Sequence, residues 1–257
     1  MDPVRREDVP PAGEHPRAEE MADNARATVR TGARVTRRSW KGLLALFLAL
    51  LVPLAVFGAL AEDVWEREGI AWDEPVLRGI HSVATPELDR WVVLLTRIGY
   101  LWGTIPAAVL LVLWLTWRRR RRDAVFAALA VGGAAVLMTI LKSMFRRVRP
   151  DLWESVAPEA TYSFPSGHAT LNTALATTVV VLLWHTRWRW PAVALAIVWV
   201  VAINLTRLYL GVHYPSDVSA GTAGAFAWVL GLRQIIPRQP DLTRHHVPSR
   251  RPRAVRS

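Results

Sequence analysis

Long uncharged stretches alternate with short charged segments along most of the chain. Six of these stretches are mostly apolar, running from Leu43 to Ala61, Ile98 to Trp117, Ala124 to Leu141, Ala169 to Trp184, Trp190 to Thr206 and Val218 to Leu232. The first three are long enough to cross a hydrocarbon core of about 30 Å as helices, and the last three need a few flanking residues to do so. A buried helix of a soluble protein could explain one such stretch but not all six together. The pattern therefore predicts an all-α, six-transmembrane helical bundle.

The two ends of the chain lack this pattern. Residues 1–40 mix both charges with Pro, Gly and Ala and show no sustained apolar period, which predicts a disordered tail. Residues 237–257 predict a second, basic and disordered tail, so the membrane domain is expected over residues 41–236. The first apolar stretch is too long for a signal peptide and shows no clear small-residue cleavage site. We therefore expect it to stay in the mature protein.

Basic residues are concentrated in four segments that six crossings place on one side of the membrane. These segments are residues 30–41, 118–122, 187–189 and 233–256. Because cytoplasmic loops carry an excess of Lys and Arg, this side is predicted to be cytoplasmic, together with both termini. The chain is then a multi-pass protein of the cell (plasma) membrane. Its net charge of +11 indicates contacts with lipid head groups rather than with nucleic acid.

The opposite side carries a net acidic loop from Glu62 to Arg97. Several large apolar residues of this loop suit short helices lying at the membrane interface: Trp65, Trp72, Val76, Leu77, Ile80 and Trp91. Five cations on this side run against the charge rule: Lys142, Arg146, Arg147, Arg149 and Arg207. These cations need a separate explanation.

Three polar clusters lie at the exterior ends of the predicted spans. They read KSMFRRVRP over residues 142–150, YSFPSGH over 162–168 and TRLYLGVHYPSD over 206–217. Lys142, Arg149 and Arg207 offer cations that suit phosphate oxygens. Taken singly, each could instead be a helix-end cation that reaches toward lipid head groups.

The middle cluster offers a candidate anion site. Ser166 and Gly167 open a predicted helix, whose first backbone N–H groups have no intrahelical partner and can bind an anion. His168 could protonate a leaving oxygen. The simpler alternatives are an ordinary helix cap and a solvated histidine.

The third cluster holds a candidate nucleophile. His213 and Asp217 are four residues apart and share a face if the chain turns helically there. A carboxylate bonded to one ring nitrogen fixes the tautomer and leaves the other nitrogen free to attack. Asp217 could equally be a local cap of the sixth span. The two histidines, the carboxylate and the three cations all map to one membrane face, which favours a common catalytic site.

In this order, the three clusters resemble the signature of the type 2 phosphatidic acid phosphatase superfamily, also called lipid phosphate phosphatases. The signature is Lys-x6-Arg-Pro, then Pro-Ser-Gly-His, then Ser-Arg-x5-His-x3-Asp. The matching positions are Lys142, Arg149 and Pro150, then Pro165 to His168, then Arg207, His213 and Asp217. Thr206 stands where the family usually has Ser, so a hydroxyl is retained.

The resemblance implies a metal-independent phosphatase without a cofactor, acting through a phosphohistidine. His213 would be the nucleophile, Asp217 would orient it, and His168 would be the acid. The phosphate-binding residues would be Lys142, Arg149, Ser166, Gly167 and Arg207. The implied partners are the bilayer and a lipid phosphate or diphosphate, with undecaprenyl diphosphate, phosphatidic acid and phosphatidylglycerol phosphate as candidates.

Two alternatives share this scaffold. The family resembles vanadium-dependent haloperoxidases, but those enzymes are typically soluble, and six spans argue against that assignment. A catalytically inert lipid-binding or transport protein should have lost a histidine or a phosphate-binding residue, and this chain retains them all.

Overall fold

The computed structural model of the protein describes residues 18–236 and residue 238. Every regular element in that range is helical, which confirms the predicted all-α class for this part of the chain. The helices are α1 (Ala18–Trp65), α2 (Asp73–His81), α3 (Pro86–Arg97), α4 (Thr104–Trp117), α5 (Arg121–Phe145), α6 (Gly167–Leu183), α7 (Arg189–Tyr209) and α8 (Pro215–Ile235). A π-helical turn, Ile98–Trp102, lies between α3 and α4. The described part of the chain divides after Leu48 into two compact units, and the candidate site described below belongs to the second.

Four helical stretches are long and apolar enough to cross a membrane: Leu44–Trp65, Pro86–Trp117, Arg121–Phe145 and Arg189–Tyr209. A fifth apolar helix, Gly167–Leu183, is shorter. The second stretch begins at Pro86 and not at the predicted Ile98, because α3, the π-helical turn and α4 follow one another closely. Pro86 at the first helical position and the Thr85 hydroxyl, which accepts a hydrogen bond from Leu88 N at 3.2 Å, fix that earlier start.

The N-terminal segment differs from the sequence prediction. Helix α1 begins at Ala18, inside the stretch for which a disordered tail was expected. Residues 18–22 read AEEMA. These residue types have high helix propensity, which favours a helix in spite of the mixed charge of the segment. The remaining parts of the predicted tails, residues 1–17, 237 and 239–257, lie outside the described residues.

Helix α6 is the central helix, with α5, α7 and α8 packed around it. All residues from 163 to 174 are buried, including Thr170, Asn172 and Thr173. A helix enclosed by other helices is shielded from lipid, so small and hydroxyl-bearing residues can replace large apolar ones. Helix α4 shows the opposite case, since Leu110 and Leu113 are 64% and 58% exposed and suit a lipid-facing surface.

Small side chains form the main core between the helices. Its buried members include Ala127, Ala130 and Ala134 of α5, Ala174 of α6 and Ala225 of α8. Alanine at these contacts allows neighbouring helix backbones to approach closely, as is typical of helix packing in membranes.

Asn172 connects three parts of the bundle through four hydrogen bonds. Its Nδ2 donates to the carbonyl oxygens of Gly99 (2.6 Å) and His168 (2.8 Å). Its Oδ1 accepts from Thr104 Oγ1 and from Trp199 Nε1, both at 2.7 Å. All the hydrogen-bonding capacity of this buried amide is used, so α6 is held in one position relative to the π-helical turn, α4 and α7.

The ends of α5, α6, α7 and α8 meet at one end of the bundle. Helix α5 stops where Arg146 adopts the left-handed conformation, and its backbone N–H donates to Lys142 O at 3.1 Å. Gly211 makes the turn from α7 to α8 with φ at +66°, and a Cβ on it would collide with the ring of Trp153. Only glycine fits this turn without strain. The two reversals bring the three polar clusters together.

We expect Asn172→Ala to destabilise the protein because it leaves the Thr104 hydroxyl, the Trp199 N–H and the Gly99 carbonyl without their partner. The loss should be roughly 3 kcal/mol or more, since each of the three stranded buried groups costs about 1–3 kcal/mol. Thermal unfolding in detergent measures it. Asn204→Ala is the matched control, since Asn204 Nδ2 makes one bond, to Thr222 Oγ1 at 3.1 Å, and its removal should cost about 0.6 kcal/mol. Equal losses in the two variants would show that Asn172 does not hold the helices together.

Candidate active site

His213 and Asp217 are brought together at the start of α8. His213 lies in the turn before the helix and Asp217 in its first turn, and both side chains are buried. His213 Nδ1 is 3.5 Å from Asp217 Oδ2 and 3.3 Å from Ser163 Oγ. On the other side of the ring, Nε2 is 3.1 Å from Arg149 Nη1, which can only donate. This environment favours the tautomer with the proton on Nδ1 and a free lone pair on Nε2.

Asp217 is also the helix cap that the sequence left as an alternative. Its Oδ2 accepts a hydrogen bond from the backbone N–H of Tyr214 at 2.9 Å and another from Ser163 Oγ at 2.5 Å. The same carboxylate therefore closes the first turn of α8 and faces the His213 ring. The capping bonds fix the carboxylate in position, and a fixed carboxylate can hold the imidazole in one orientation.

Arg149 and Arg207 converge on one carboxylate, that of Glu159. Arg149 Nη2 donates to Glu159 Oε2 at 2.7 Å, and Arg207 Nη2 donates to Glu159 Oε1. Other bonds hold the two guanidinium groups in place, to Thr161 O at 2.7 Å for Arg149 and to Thr96 Oγ1 at 2.6 Å for Arg207. The Nε of Arg207 is buried without a hydrogen-bond partner among the described residues. The two guanidinium groups therefore bind the same anionic side chain.

His168 lies on the opposite side of this anion site from His213. Its Nδ1 is 3.8 Å from Glu159 Oε1, while His213 Nε2 is 3.7 Å from Glu159 Oε2. The His168 ring stacks on Tyr100, with 4.7 Å between ring centroids. One carboxylate thus lies between two imidazole rings and two guanidinium groups, at the place where a bound oxyanion would contact all four.

The electrostatic setting keeps Glu159 ionised. Burial raises the pKa of its carboxyl, but the positive charges of Arg207 and Arg149 outweigh burial and hold the pKa well below its usual range. At neutral pH the carboxylate therefore competes for the site as an anion. Its ion pairs stabilise the folded state above the pKa of an unfolded glutamate, and that stability is lost only in acid.

The remaining predicted phosphate-binding residues lie around the same site. Lys142 Nζ donates to the carbonyl of Tyr162, and Lys142, Glu159, Gly167 and His168 line a common cavity of about 870 Å³. Ser166 is buried and caps α6, its Oγ accepting from Ala169 N at 3.5 Å. Its hydroxyl is directed to the helix backbone in this structure, so its predicted contact with phosphate stays a prediction.

Thr206, the departure from the family pattern, also bonds to a helix. Its Oγ1 donates to Ile203 O at 2.6 Å, and the residue is 2% exposed. A serine hydroxyl could make the same bond. The substitution therefore leaves the surroundings of Arg207 intact.

Four further residues belong to this site, and the sequence had assigned no role to them: Glu159, Ser163, Arg147 and Asp73. Arg147 carried a signal as a cation on the exterior side, and Ser163 as a member of the second polar cluster. Glu159 lies in a loop without periodicity, and Asp73 is distant in sequence from all three clusters. In the part of the chain that the structure describes, no group of three or more His, Asp or Glu side chains is arranged to hold a metal ion.

Comparison with known proteins agrees with the fold and the motifs. The pattern of the PAP2 superfamily matches residues 123–241. The undecaprenyl-diphosphatase of Sulfolobus acidocaldarius is 30% identical over 196 residues, which is 74% of this chain and 84% of that protein. Phosphatidylglycerophosphatase B of Bacillus subtilis is 28% identical over 155 residues, 58% of this chain and 75% of that protein.

A solved structure has the same fold. It is the crystal structure of a transmembrane PAP2-type phosphatidylglycerolphosphate phosphatase from Bacillus subtilis, with a TM-score of 0.65 and 24% identity. The match covers 75% of this chain and 100% of that one.

Glu159→Gln should tighten the binding of a tetrahedral anion such as orthovanadate, because the neutral amide competes less well for Arg149 and Arg207. We expect a Kd about tenfold lower, equivalent to roughly 1.4 kcal/mol. Because the depressed pKa keeps Glu159 charged throughout, the difference from wild type should be the same at pH 6 and pH 8. Titration calorimetry of the purified protein measures the Kd.

The control for this variant is Glu154→Gln, which removes an exposed carboxylate from the same loop and should leave the Kd unchanged. Unchanged or weaker vanadate binding by Glu159→Gln would mean that the carboxylate does not occupy the anion site.

Proposed function

The chain belongs to the PAP2 superfamily, and we propose that it is a membrane phosphatase that hydrolyses a lipid phosphate or diphosphate through a phosphohistidine intermediate. The single observation that supports this most strongly is the position of the Glu159 carboxylate. It lies within 3.8 Å of a nitrogen of both imidazole rings while two arginines bind it. A phosphoryl group carries the same kind of acceptor oxygens, and arginine matches them with paired N–H groups.

In the first step, the substrate's phosphoryl group replaces Glu159 between Arg149 and Arg207. Nε2 of His213 attacks phosphorus while the bond from phosphorus to the leaving oxygen breaks, and the leaving oxygen takes a proton from His168. Asp217, bonded to Nδ1, stabilises the positive charge that develops on the His213 ring. The products of this step are the dephosphorylated lipid, or lipid monophosphate, and phosphohistidine.

In the second step, water hydrolyses the phosphohistidine. Neutral His168 now accepts a proton from the water, whose oxygen bonds to phosphorus as the bond to Nε2 breaks. Inorganic phosphate and free His213 result. The proposed phosphate clamp comprises Lys142, Arg149, Ser166, Gly167 and Arg207. In both steps this clamp stabilises the negative charge on the transferring phosphoryl group, which supplies most of the rate gain in phosphoryl transfer.

The proposed membrane arrangement has six spans with both termini in the cytoplasm. Helix α6, which is apolar but shorter, and helix α8 join the four long apolar stretches as spans in this arrangement. The α5–α6 loop, the α7–α8 turn and the first loop, whose short helices lie at the interface, then face the non-cytoplasmic side. The site opens on this side, where a lipid phosphate can reach it from the outer leaflet.

The candidate substrates are undecaprenyl diphosphate, phosphatidic acid and phosphatidylglycerol phosphate. The similarity to an undecaprenyl-diphosphatase and to a phosphatidylglycerophosphatase supports the first and the third. An inert lipid-binding protein is the weaker alternative, because the complete set of histidines, carboxylate and cations is gathered around one anion position. Phosphate release by the purified protein from a panel of the three lipids tests the proposal, and the absence of release from all of them would contradict it.

Replacing the two histidines should have different effects on turnover and on protein labelling. His213→Ala should abolish turnover and acid-labile protein labelling from a phosphorus-32 substrate, because no nucleophile remains. His168→Ala should lose about 10²–10⁴-fold in turnover, the usual range for general acid–base catalysis. The loss should be smaller with a diphosphate lipid, whose leaving phosphate needs a proton less than an alkoxide does. Rapid quench with filter counting measures both labelling and turnover.

His185→Ala provides the control for these variants, since His185 is exposed beyond the far end of α6 and should keep wild-type rates. Acid-labile label retained by His213→Ala would place the nucleophile elsewhere and reverse the roles assigned to the two rings.

The proposed topology predicts that a C-terminal alkaline phosphatase fusion, which is active only outside the cytoplasm, stays inactive. A fusion within the first loop, after Gly69, should be active. An active C-terminal fusion would require an odd number of crossings and would overturn the six-span arrangement.

A further inference from the structure

Arg147 forms a bridge between two carboxylates on opposite sides of its guanidinium group. Its Nη1 donates to Asp217 Oδ1 at 2.6 Å and to Ser216 Oγ at 2.7 Å. Its Nη2 donates to Asp73 Oδ2 at 2.9 Å. The guanidinium carbon lies 4.2 Å from the centroid of the Tyr214 ring, so the group is also fixed by a cation–π contact. Arg147 therefore has one well-defined orientation.

Asp73 comes from α2, in the first loop, and reaches the start of α8. Its Oδ1 accepts from the backbone N–H of Ser216 at 2.9 Å, and its Oδ2 accepts from Ser216 Oγ at 2.5 Å. The residue is 2% exposed. A chain of contacts thus runs from Asp73 through Arg147 and Asp217 to the His213 ring.

A purely structural role does not account for the charges of Asp73, Arg147 and Asp217 in this series of contacts. The Asp73 and Asp217 side chains are 3% and 0% exposed, and that of Arg147 is 15% exposed. Removing such groups from water costs more than their attraction commonly returns, and apolar replacements are often as stable. A cap for Ser216 could be supplied by a neutral Asn or Ser. Burial lowers the pKa of Arg147, but Asp217 and Asp73 outweigh it and raise the pKa above its ordinary value, so the bridge stays cationic.

We propose that Asp73 and Arg147 are positioning residues that act on His213 through Asp217. This inference rests on the proposed function. Arg147 holds Oδ1 of Asp217, which turns Oδ2 toward His213. Asp73 holds the other nitrogen of Arg147 and offsets its positive charge, so that Asp217 keeps its strength as an acceptor for the imidazole proton.

The two residues have opposite effects on a positive charge at His213. Neutralising Asp73 leaves the guanidinium unbalanced and disfavours an imidazolium at His213. Neutralising Arg147 leaves two carboxylates without their cation and favours the imidazolium. The other charged or titratable groups around His213 stay the same in both variants: Asp217, Glu159, Arg149, His168, Lys142 and Arg207. Because only the unprotonated ring can attack, the acid limb of the pH profile of kcat reports this charge.

The test compares Asp73→Asn and Arg147→Gln with wild type on the lipid phosphate that wild type hydrolyses. Asn keeps an acceptor for Ser216 and loses only the charge. We expect each variant to lose about 10–100-fold in kcat, comparable to the loss when a group that orients an active-site ligand through a hydrogen bond is removed. KM should change little because neither residue contacts the proposed phosphate clamp. The acid limb should move to lower pH in Asp73→Asn and to higher pH in Arg147→Gln, by roughly 0.5–1 unit.

Two further variants keep the experiment decisive. Glu74→Gln, next to Asp73 but paired with Arg78 at the exposed surface, should match wild type in kcat and pH profile. Arg147→Lys keeps the charge but cannot bond to both carboxylates as the planar fork does, so kcat should fall while the acid limb stays near its wild-type position. If Arg147→Gln does not fold, Asp73→Asn tests the movement of the acid limb and Arg147→Lys tests the loss of kcat.

Two results would overturn the proposal: acid limbs that stay in place in Asp73→Asn and Arg147→Gln while kcat falls, or limbs that move in the same direction in these two variants. Wild-type turnover is measured first in every case. A failure of the proposed function appears as absent wild-type turnover, whereas a failure of this inference appears with full wild-type turnover.

Discussion

The buried Arg207 and the partly buried Arg149, at the end of a membrane bundle, require an anion between them, and the rest of the site is arranged around that requirement. The side chain of Arg207 is 2% exposed and that of Arg149 is 13% exposed. Cations removed from water to this extent are tolerated only when they are paired. In this structure Glu159 supplies the pair from a loop. In the proposed function, the phosphoryl group of the substrate replaces Glu159 as the anion that pairs with the two arginines.

The helices make this exchange possible without rearranging the rest of the bundle. Asn172 fixes α6 through four hydrogen bonds, and Asp217 fixes the start of α8 as a cap. The two histidines are held by these rigid elements, while Glu159 lies in the loop between α5 and α6. A site whose reacting groups are held rigidly has little left to reorganise when the phosphoryl group arrives. Only the loop carboxylate has to move.

Sequence reasoning found the parts of the site that follow from local spacing. His213 and Asp217 were placed together by a four-residue interval, and Lys142, Arg149 and Arg207 by their positions at the ends of apolar stretches. The helical class followed from the length of those stretches. The start of α1 at Ala18 did not follow from the apolar pattern, because the helix propensity of this charged, alanine-rich segment overrides its polar character. The bounds of the second apolar stretch shifted because a cap at Thr85 and Pro86 starts the helix earlier.

The missed residues depend on contacts between distant segments. Glu159 has no neighbour in sequence that indicates a role, and its importance appears only when the loop after α5 and the end of α7 bring two arginines to it. Asp73 reaches Ser216 across 143 positions of the chain. No period or motif encodes such a contact, since it results from packing of the first loop onto the start of α8. Arg147 was visible as an exterior cation, but its partners were not.

In the proposed mechanism, the position of the Glu159 carboxylate is the phosphoryl site and Nε2 of His213 is the attacking atom. A crystal structure of the orthovanadate complex tests it most directly. We expect vanadium bonded to Nε2 of His213, vanadate oxygens bonded to Arg149 and Arg207, and Glu159 displaced from both. Vanadate bonded to His168 instead, or bound elsewhere with Glu159 still paired to the two arginines, would contradict it.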